Sequence, residues 1–351
     1  MAGVRLPSMI KHVHLVIQDL FLPGEVAAKV CASLHLPALE KILARAHSEP
    51  MREHSLEDWL CRTFGVAGQA IAPITLQADG VETKEHYWLR ADPVNLRILH
   101  DQLVLQPATA ASEDEAAQLC AALNEHFSGD GLYFLAPHLR HWYLRLEGDP
   151  DIQTTQLTKV MGKNIHHFLP QGPDELRWHG ILNEIQMLLH AHPLNQAREQ
   201  RGEWPINGLW LWGGGYAGVS LKSPLGWLLT DSELASAFAA AVKMPHGPLP
   251  LGSDTRWLER NIESGHNTTY IVWNGLGTAL EYGDLGNWCK SLQQFEQQCA
   301  YPLWQALRKG LIDQITLDVP QEKFPRRFVL KRGDSRKFWR RVRQLADYTP
   351  E

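Results

Sequence analysis

No two cysteines of this chain form a C-x-x-C pair, and no stretch of about 18 apolar residues occurs in it. The five cysteines, Cys31, Cys61, Cys120, Cys289 and Cys299, are odd in number and scattered. A disulfide framework or a zinc cage is therefore not expected, and a reducing, cytoplasmic setting fits best. The missing apolar run excludes a membrane-spanning helix. Residues 1–17 also lack a secretion signal, because His12 and His14 interrupt the apolar stretch and no A-x-A site follows. G-x-S-x-G and H-E-x-x-H are absent as well, which removes two familiar hydrolase signatures. Net charge is small, formally −5, so neither nucleic acid nor a membrane surface is a global partner.

What is present is ordinary globular material with two biases. Hydrophobic residues make up 44% of the 351 and charged ones 21%, enough for one large domain or two modest ones. Tryptophan (13) and histidine (17) are frequent, and core packing accounts for most of the tryptophans. Residues 322–343 break the charge balance with ten Lys or Arg against Glu322 and Asp334. Ser335 to Leu345 reads there as a short basic helix, solvated and packed on the acidic remainder. An RNA contact by this tail is the sharper and less favoured reading.

Strands and helices alternate along the rest. Residues 10–17 read as a strand entering a buried sheet, with Asp19 just beyond its carboxyl end. Ligands of open α/β sheets gather at such ends, so Asp19 stands equally as a ligand-binding or a turn carboxylate. Helices are expected over 25–45 with a break near Leu36-Pro37, and over 55–64, 112–127, 173–191, 232–243 and 285–309. Strands are expected over 101–106, 131–136, 141–146, 206–212, 269–273 and 312–317. The pattern predicts an α/β fold with a mostly parallel sheet flanked by helices. Residues 1–321 form one domain in this reading, and 322–351 a basic tail.

One block concentrates polar residues around a turn. Asn183-Glu184 lies on the helix ending at His192-Pro193, and Asn195, Arg198, Arg201-Gly202 and Asn207 follow. The apolar strand then ends in Gly213-Gly214-Gly215. Glycines after a strand let backbone N–H groups approach an anion, and the arginines add cationic contacts. Gly-Gly-Gly alone is a weak signal, since it lacks the Walker lysine and the G-x-G-x-x-G spacing, and a tight turn explains it equally. His12-x-His14 on a strand, His166-His167 and His190-x-His192 are possible metal pairs, but a structural role takes precedence for all three.

The 183–215 block resembles that of the archaeal-type cofactor-independent phosphoglycerate mutases, which show a similar helix, H-P-x-N-x-x-R turn and glycine-ended strand. Asn183 to His190, Leu209 to Gly215 and Trp88-Leu89-Arg90-Ala91-Asp92-Pro93-Val94 resemble a bacterial family of RpfE-type regulatory proteins more closely. The resemblance implies an alkaline-phosphatase-like core. Enzymes of that superfamily hold two divalent metals with Asp and His, and a Ser or Thr takes the phosphoryl group. Here Asp19 is followed by Leu20 and not by Gly. The late segment Ala279 to Gly286 has no His, and no nucleophile motif stands between residues 45 and 75. The expectation is therefore a non-catalytic or regulatory relative, without cofactor. It would bind an anionic small molecule or a protein partner through Asp92, Asn195, Arg198, Arg201, Asn207 and Gly213 to Gly215. The alternative is an active metal-dependent phosphomutase or phosphohydrolase, with Asp19, Asp284 and His266 carrying Mn or Zn.

Overall fold

A computed structural model describes residues 10–218, 220–249, 267–281 and 283–349. The chain divides into two compact units, Met1–Thr63 with Ser223–Glu351, and Phe64–Lys222. Each unit has its own sheet and its own apolar cluster, and this is why two bodies appear where the sequence reading places one domain over 1–321.

In the first unit, strands β1 (Ile10–Ile17), β2 (His47–Pro50), β8 (Trp227–Thr230), β9 (His246–Gly247), β10 (Thr268–Trp273), β11 (Ile312–Val319) and β12 (Arg326–Lys331) form one sheet. Its order is β2-β12-β11-β1-β10-β8-β9. The five strands from β11 to β9 are parallel, and β12 and β2 close one edge antiparallel. The expected α/β class with a largely parallel sheet is the class found.

Strand alternation splits the two faces of this sheet. Val13, Leu15, Ile17, Ile315, Leu317 and Phe328 point into one cluster with Ile42, Trp288 and Leu303 from helices. Each such side chain contributes roughly 1.5–3 kcal/mol on leaving water. His12, His14, Thr316 and Asp318 fall on the intervening positions and so face the other way.

The helices supporting the apolar face follow local signals. Pro37 opens the helix Pro37–Arg45, where its missing N–H costs nothing. The predicted helix 285–309 is present but widens at Glu296–Ala300 into a π-turn between Leu285–Phe295 and Tyr301–Lys309. The buried Glu296 carboxylate accepts the N–H groups of Ala38 and Leu39 at 2.7 and 2.9 Å, capping the Pro37 helix.

The basic tail is corrected. Arg326–Lys331 is a full member of the sheet, because Phe328 and Leu330 alternate inward and are buried to 1% and 0%. The helix expected over Ser335–Leu345 does not form. A short 3-10 turn, Arg332–Arg336, precedes irregular chain there.

In the second unit, β3 (Tyr87–Leu99), β4 (Gln102–Pro107), β5 (Tyr133–Leu135), β6 (Tyr143–Leu146) and β7 (Gly208–Tyr216) pair antiparallel throughout. The helices Glu113–His126 and Glu175–Ala191 pack on this sheet through Leu119, Leu123, Trp178 and Ile185. Ser112 and Glu115 form a reciprocal capping box at the start of the first.

Candidate functional site

The polar face of the parallel sheet converges on one carboxylate. Asp318, 0% exposed, sits near the carboxyl end of β11. Arg327 on β12 donates Nε to Oδ1 at 2.6 Å and Nη2 to Oδ2 at 2.7 Å. The indole Nε1–H of Trp59, from the helix Leu56–Phe64, donates to Oδ2 at 2.7 Å. His14 Nε2 stands at 2.7 Å from the same oxygen. Burial alone would raise the Asp318 carboxyl, but the bonds from Arg327 and His14 outweigh it and hold the group far below the usual carboxylate range.

An ionised carboxylate only accepts, so His14 Nε2 carries a proton and donates it to Asp318. His14 stacks on Tyr270 (5.6 Å) and meets the edge of Trp59 (5.5 Å). His12 lies beside it, ring centroids 5.6 Å apart, with Nε2 at 2.8 Å from Thr316 Oγ1. Burial and the neighbouring His14 push the His12 imidazole down to about 4, so it is neutral at pH 7. The arrangement offers an oriented imidazole beside a neutral one. That geometry suits proton transfer or donation to a metal.

The sequence-singled residues of the second unit behave differently. Asn195 is spent on backbone: its Nδ2 donates to the carbonyls of Leu189 and Ile206, and its Oδ1 accepts the Ile206 N–H at 2.8 Å. Asn207 clasps both the N–H and C=O of Leu96. Asp92 accepts two bonds from Arg90 and one from Trp212 Nε1. Arg198, 0% exposed, donates to Glu115 at 2.6 Å and to the carbonyls of Thr109 and Trp204. Arg201 divides its guanidinium between Glu115 and Glu203.

The three glycines lie inside β7 and form no loop beyond it. A Cβ on Gly214 would stand 2.5 Å from the Tyr87 hydroxyl, and one on Gly215 would collide with Ala70. Gly213 takes a positive φ of 66° where its carbonyl accepts the Ile71 N–H. These residues are brought together as a frame of strand and turn, and their polar atoms are spent inside the fold.

Of the alternative metal set, Asp19 follows β1 at φ 52° and accepts a bond from Gln18. Asp284 caps the helix Leu285–Phe295 and is bonded by Asn287 N and Nδ2 at 2.9 and 2.7 Å. His266 lies outside the described residues. Among the described residues, neither carboxylate belongs to a group of three or more side chains placed to hold a metal ion. Sequence reasoning noted the His12-x-His14 pair but missed Asp318, Trp59 and Arg327, which complete it. The available signal was an acid on the polar positions of the strand Ile315-Thr316-Leu317-Asp318-Val319, alternating with Ile315, Leu317 and Val319.

This architecture is that of a mixed α/β protein with a large, mostly parallel sheet and helices. A solved protein from Pyrococcus horikoshii shares the fold, with a TM-score of 0.55 at 11% identity, covering 92% of this chain and 88% of that one. A cofactor-independent phosphoglycerate mutase from Thermoplasma acidophilum aligns over 92% of this chain and 89% of its own, at 14% identity and a TM-score of 0.46. No protein-family model matches the chain.

Among characterised sequences, the 2,3-bisphosphoglycerate-independent phosphoglycerate mutase of Methanosarcina mazei is 29% identical over 109 residues, 30% of this chain and 27% of that one. A probable mutase of the same description from Geobacter sulfurreducens is 23% identical over 262 residues, 68% of this chain and 64% of that one. The chain therefore spans less than two thirds of the length of either relative. It is distantly homologous to these mutases.

The homology corrects one expectation. A chain without cofactor does not agree with relatives whose enzyme class works with divalent metal. Among the described residues of the second unit, His138 and His141 lie with ring centroids 4.6 Å apart, and the Asp79 carboxylate, which accepts the Tyr143 hydroxyl at 2.6 Å, stands 3.8 Å from His141 Nδ1. Among the described residues, no helix is long and apolar enough to cross a membrane.

Proposed function

We propose that this chain is a regulatory, ligand- or partner-binding relative of the phosphoglycerate mutases, of the RpfE type, and not a phosphoryl-transfer enzyme. One observation carries the reading: the buried carboxylate near the carboxyl end of the last parallel strand, Asp318, is already held at both oxygens by Arg327. Phosphoryl transfer of the two-metal kind needs carboxylates open to the ions that activate the nucleophile and neutralise the transferring group. Here a guanidinium in fork geometry already engages both oxygens of Asp318. Asp19 and Asp284, bonded to Gln18 and Asn287, point the same way. A reducing, cytoplasmic setting agrees with five thiols that stand free.

The test is a mutase assay on 3-phosphoglycerate with Mn2+ or Zn2+ supplied, beside a thermal-shift series with phosphorylated metabolites. The expected outcome is no turnover above the metal-only control. Sustained conversion, abolished by Asp19→Asn, would overturn the proposal.

A further inference from the structure

A cavity of about 390 Å³ opens in the first unit at the carboxyl ends of β8 and β10. This is the side of an open α/β sheet where ligands collect, and the volume lies in the range of small-molecule sites. Its construction follows from features already described. β10 ends in Trp273, whose ring stacks face to face on the buried Phe295 at 4.3 Å and 22°, which fixes the indole plane at the cavity. The turn after β10 must pass directly under the indole: a Cβ at Gly275 would lie 2.5 Å from Trp273 Nε1. The opposite rim is the π-turn. Because Glu296 is drawn away to cap the Pro37 helix, the widened turn presents Gln298 and Cys299 to the cavity, with Gln294 one turn earlier. Such widened turns recur at functional sites.

The charge pattern is one-sided. Among the described lining residues, Asp231, directly after β8, is the single carboxylate and no side chain is cationic. Its bonds come from backbone N–H groups, that of Asn274 at 2.7 Å and its own, and not from an arginine or lysine. Solvent reaches Asp231 on one side and protein crowds it on the other, which pushes the carboxyl upward. The Cys299 thiol is pushed up to about 12 by burial and stays neutral. Among the described lining residues, a phosphate or carboxylate ligand would therefore meet an acid and neutral groups.

We propose that this cavity binds a small planar molecule carrying a cationic or multiply donating nitrogen group, with its ring against the indole of Trp273 and its nitrogen on Asp231. The site is independent of the Asp318 cluster and of the mutase-derived reading, and it selects against the anions that a mutase handles. The amides of Gln294 and Gln298 supply orienting contacts at the rim.

The experiment uses two isosteric probes of opposite charge, benzamidine and benzoate, on the full chain. Binding is followed by the indole N–H resonance of Trp273, assigned with Trp273→Phe. Benzamidine is expected to shift that resonance saturably, and benzoate is expected not to. Asp231→Asn should weaken benzamidine on the order of tenfold or more, the loss of one charge-assisted bond. Gly275→Ala should weaken it separately by displacing the indole, with the melting temperature of each variant reporting that the fold persists. No saturable shift with benzamidine overturns the proposal. So does equal binding of benzoate, or benzamidine binding unchanged by Asp231→Asn.

Discussion

Two of the buried arginine–carboxylate clusters, one taken from each unit, use the same chemistry to different ends. Arg198 in the second unit is 0% exposed and gives its donors to Glu115, Thr109 O and Trp204 O. It ties the start of the Glu113–His126 helix to the turn before β7, and no ring nitrogen or open carboxylate lies within its bonds. The Asp318 cluster inverts this. The acid is the buried member at 0%, while Arg327 keeps 30% of its side chain in solvent, and a third partner, His14, keeps an imidazole nitrogen uncommitted by Asp318. A buried arginine with several backbone acceptors is a strut. A buried acid that orients a partly exposed histidine is a place where chemistry or recognition can act.

The contrast is broken most severely by removing the strut. Arg198→Ala leaves the carbonyls of Thr109 and Trp204 without donors and opens a cavity. Urea unfolding should report a loss of about 3–5 kcal/mol, with no change in any property of the Asp318 cluster. A loss under 1 kcal/mol would mean that the residue is not the strut described.

That strut also shows what a linear sequence can reveal. Ser112 announces the helix it caps, and Trp178, Ile181 and Ile185 announce the face they bury, because caps and periodicity act within a few residues. The same density of polar residues made 183–215 look like a binding loop. Asn195 and Asn207 instead bond backbone 11 and 111 positions away, and the glycines admit Tyr87 and Ala70. His14 and Asp318 stand 304 residues apart, so no local pattern could join them. The basic tail was misread for a related reason. Ten cations mask the two inward residues, Phe328 and Leu330, that make Arg326–Lys331 a strand.

Asp318→Asn should cost less than the loss of Arg198, about 2 kcal/mol, because Arg327 can turn toward water when its partner loses charge. The pH dependence carries the sign. Asp318 is held far below the ordinary carboxylate value of about 3.9, so its contribution is present above that pH and is lost as pH falls below it. The variant should therefore unfold in acid with a shallower slope than the parent, as read by circular dichroism between pH 5 and 2.

His12 gives a second and smaller signature in the same cluster. The folded imidazole sits at about 4, against about 6.5 for an unfolded chain. Between those values the unfolded state binds the proton and the folded state refuses it. Stability is complete above pH 6.5 and declines as pH drops toward 4, by on the order of 1 kcal/mol once the open side of the ring is allowed for. His12→Gln, which can still reach Thr316 Oγ1, should flatten that limb while leaving the one below pH 3.9 in place. If both limbs flatten together, the two groups titrate as one unit.

The smallest effect sharpens the strut itself. Arg201 bonds Glu115 at 2.6 Å, the distance Arg198 makes to the same acid, and adds two bonds to Glu203. A count of bonds would rank the two arginines together. Exposure separates them: 48% of the Arg201 side chain is in solvent, where water replaces each bond and salt screens each pair. Arg201→Ala should leave the urea midpoint where it is, and raising the salt concentration should not distinguish the variant from the parent. Arg198→Lys, by contrast, keeps the charge but loses the fork that reaches both Glu115 and Thr109 O. It should fail to restore the midpoint lost in Arg198→Ala, since the strut depends on the guanidinium's geometry and burial more than on its charge.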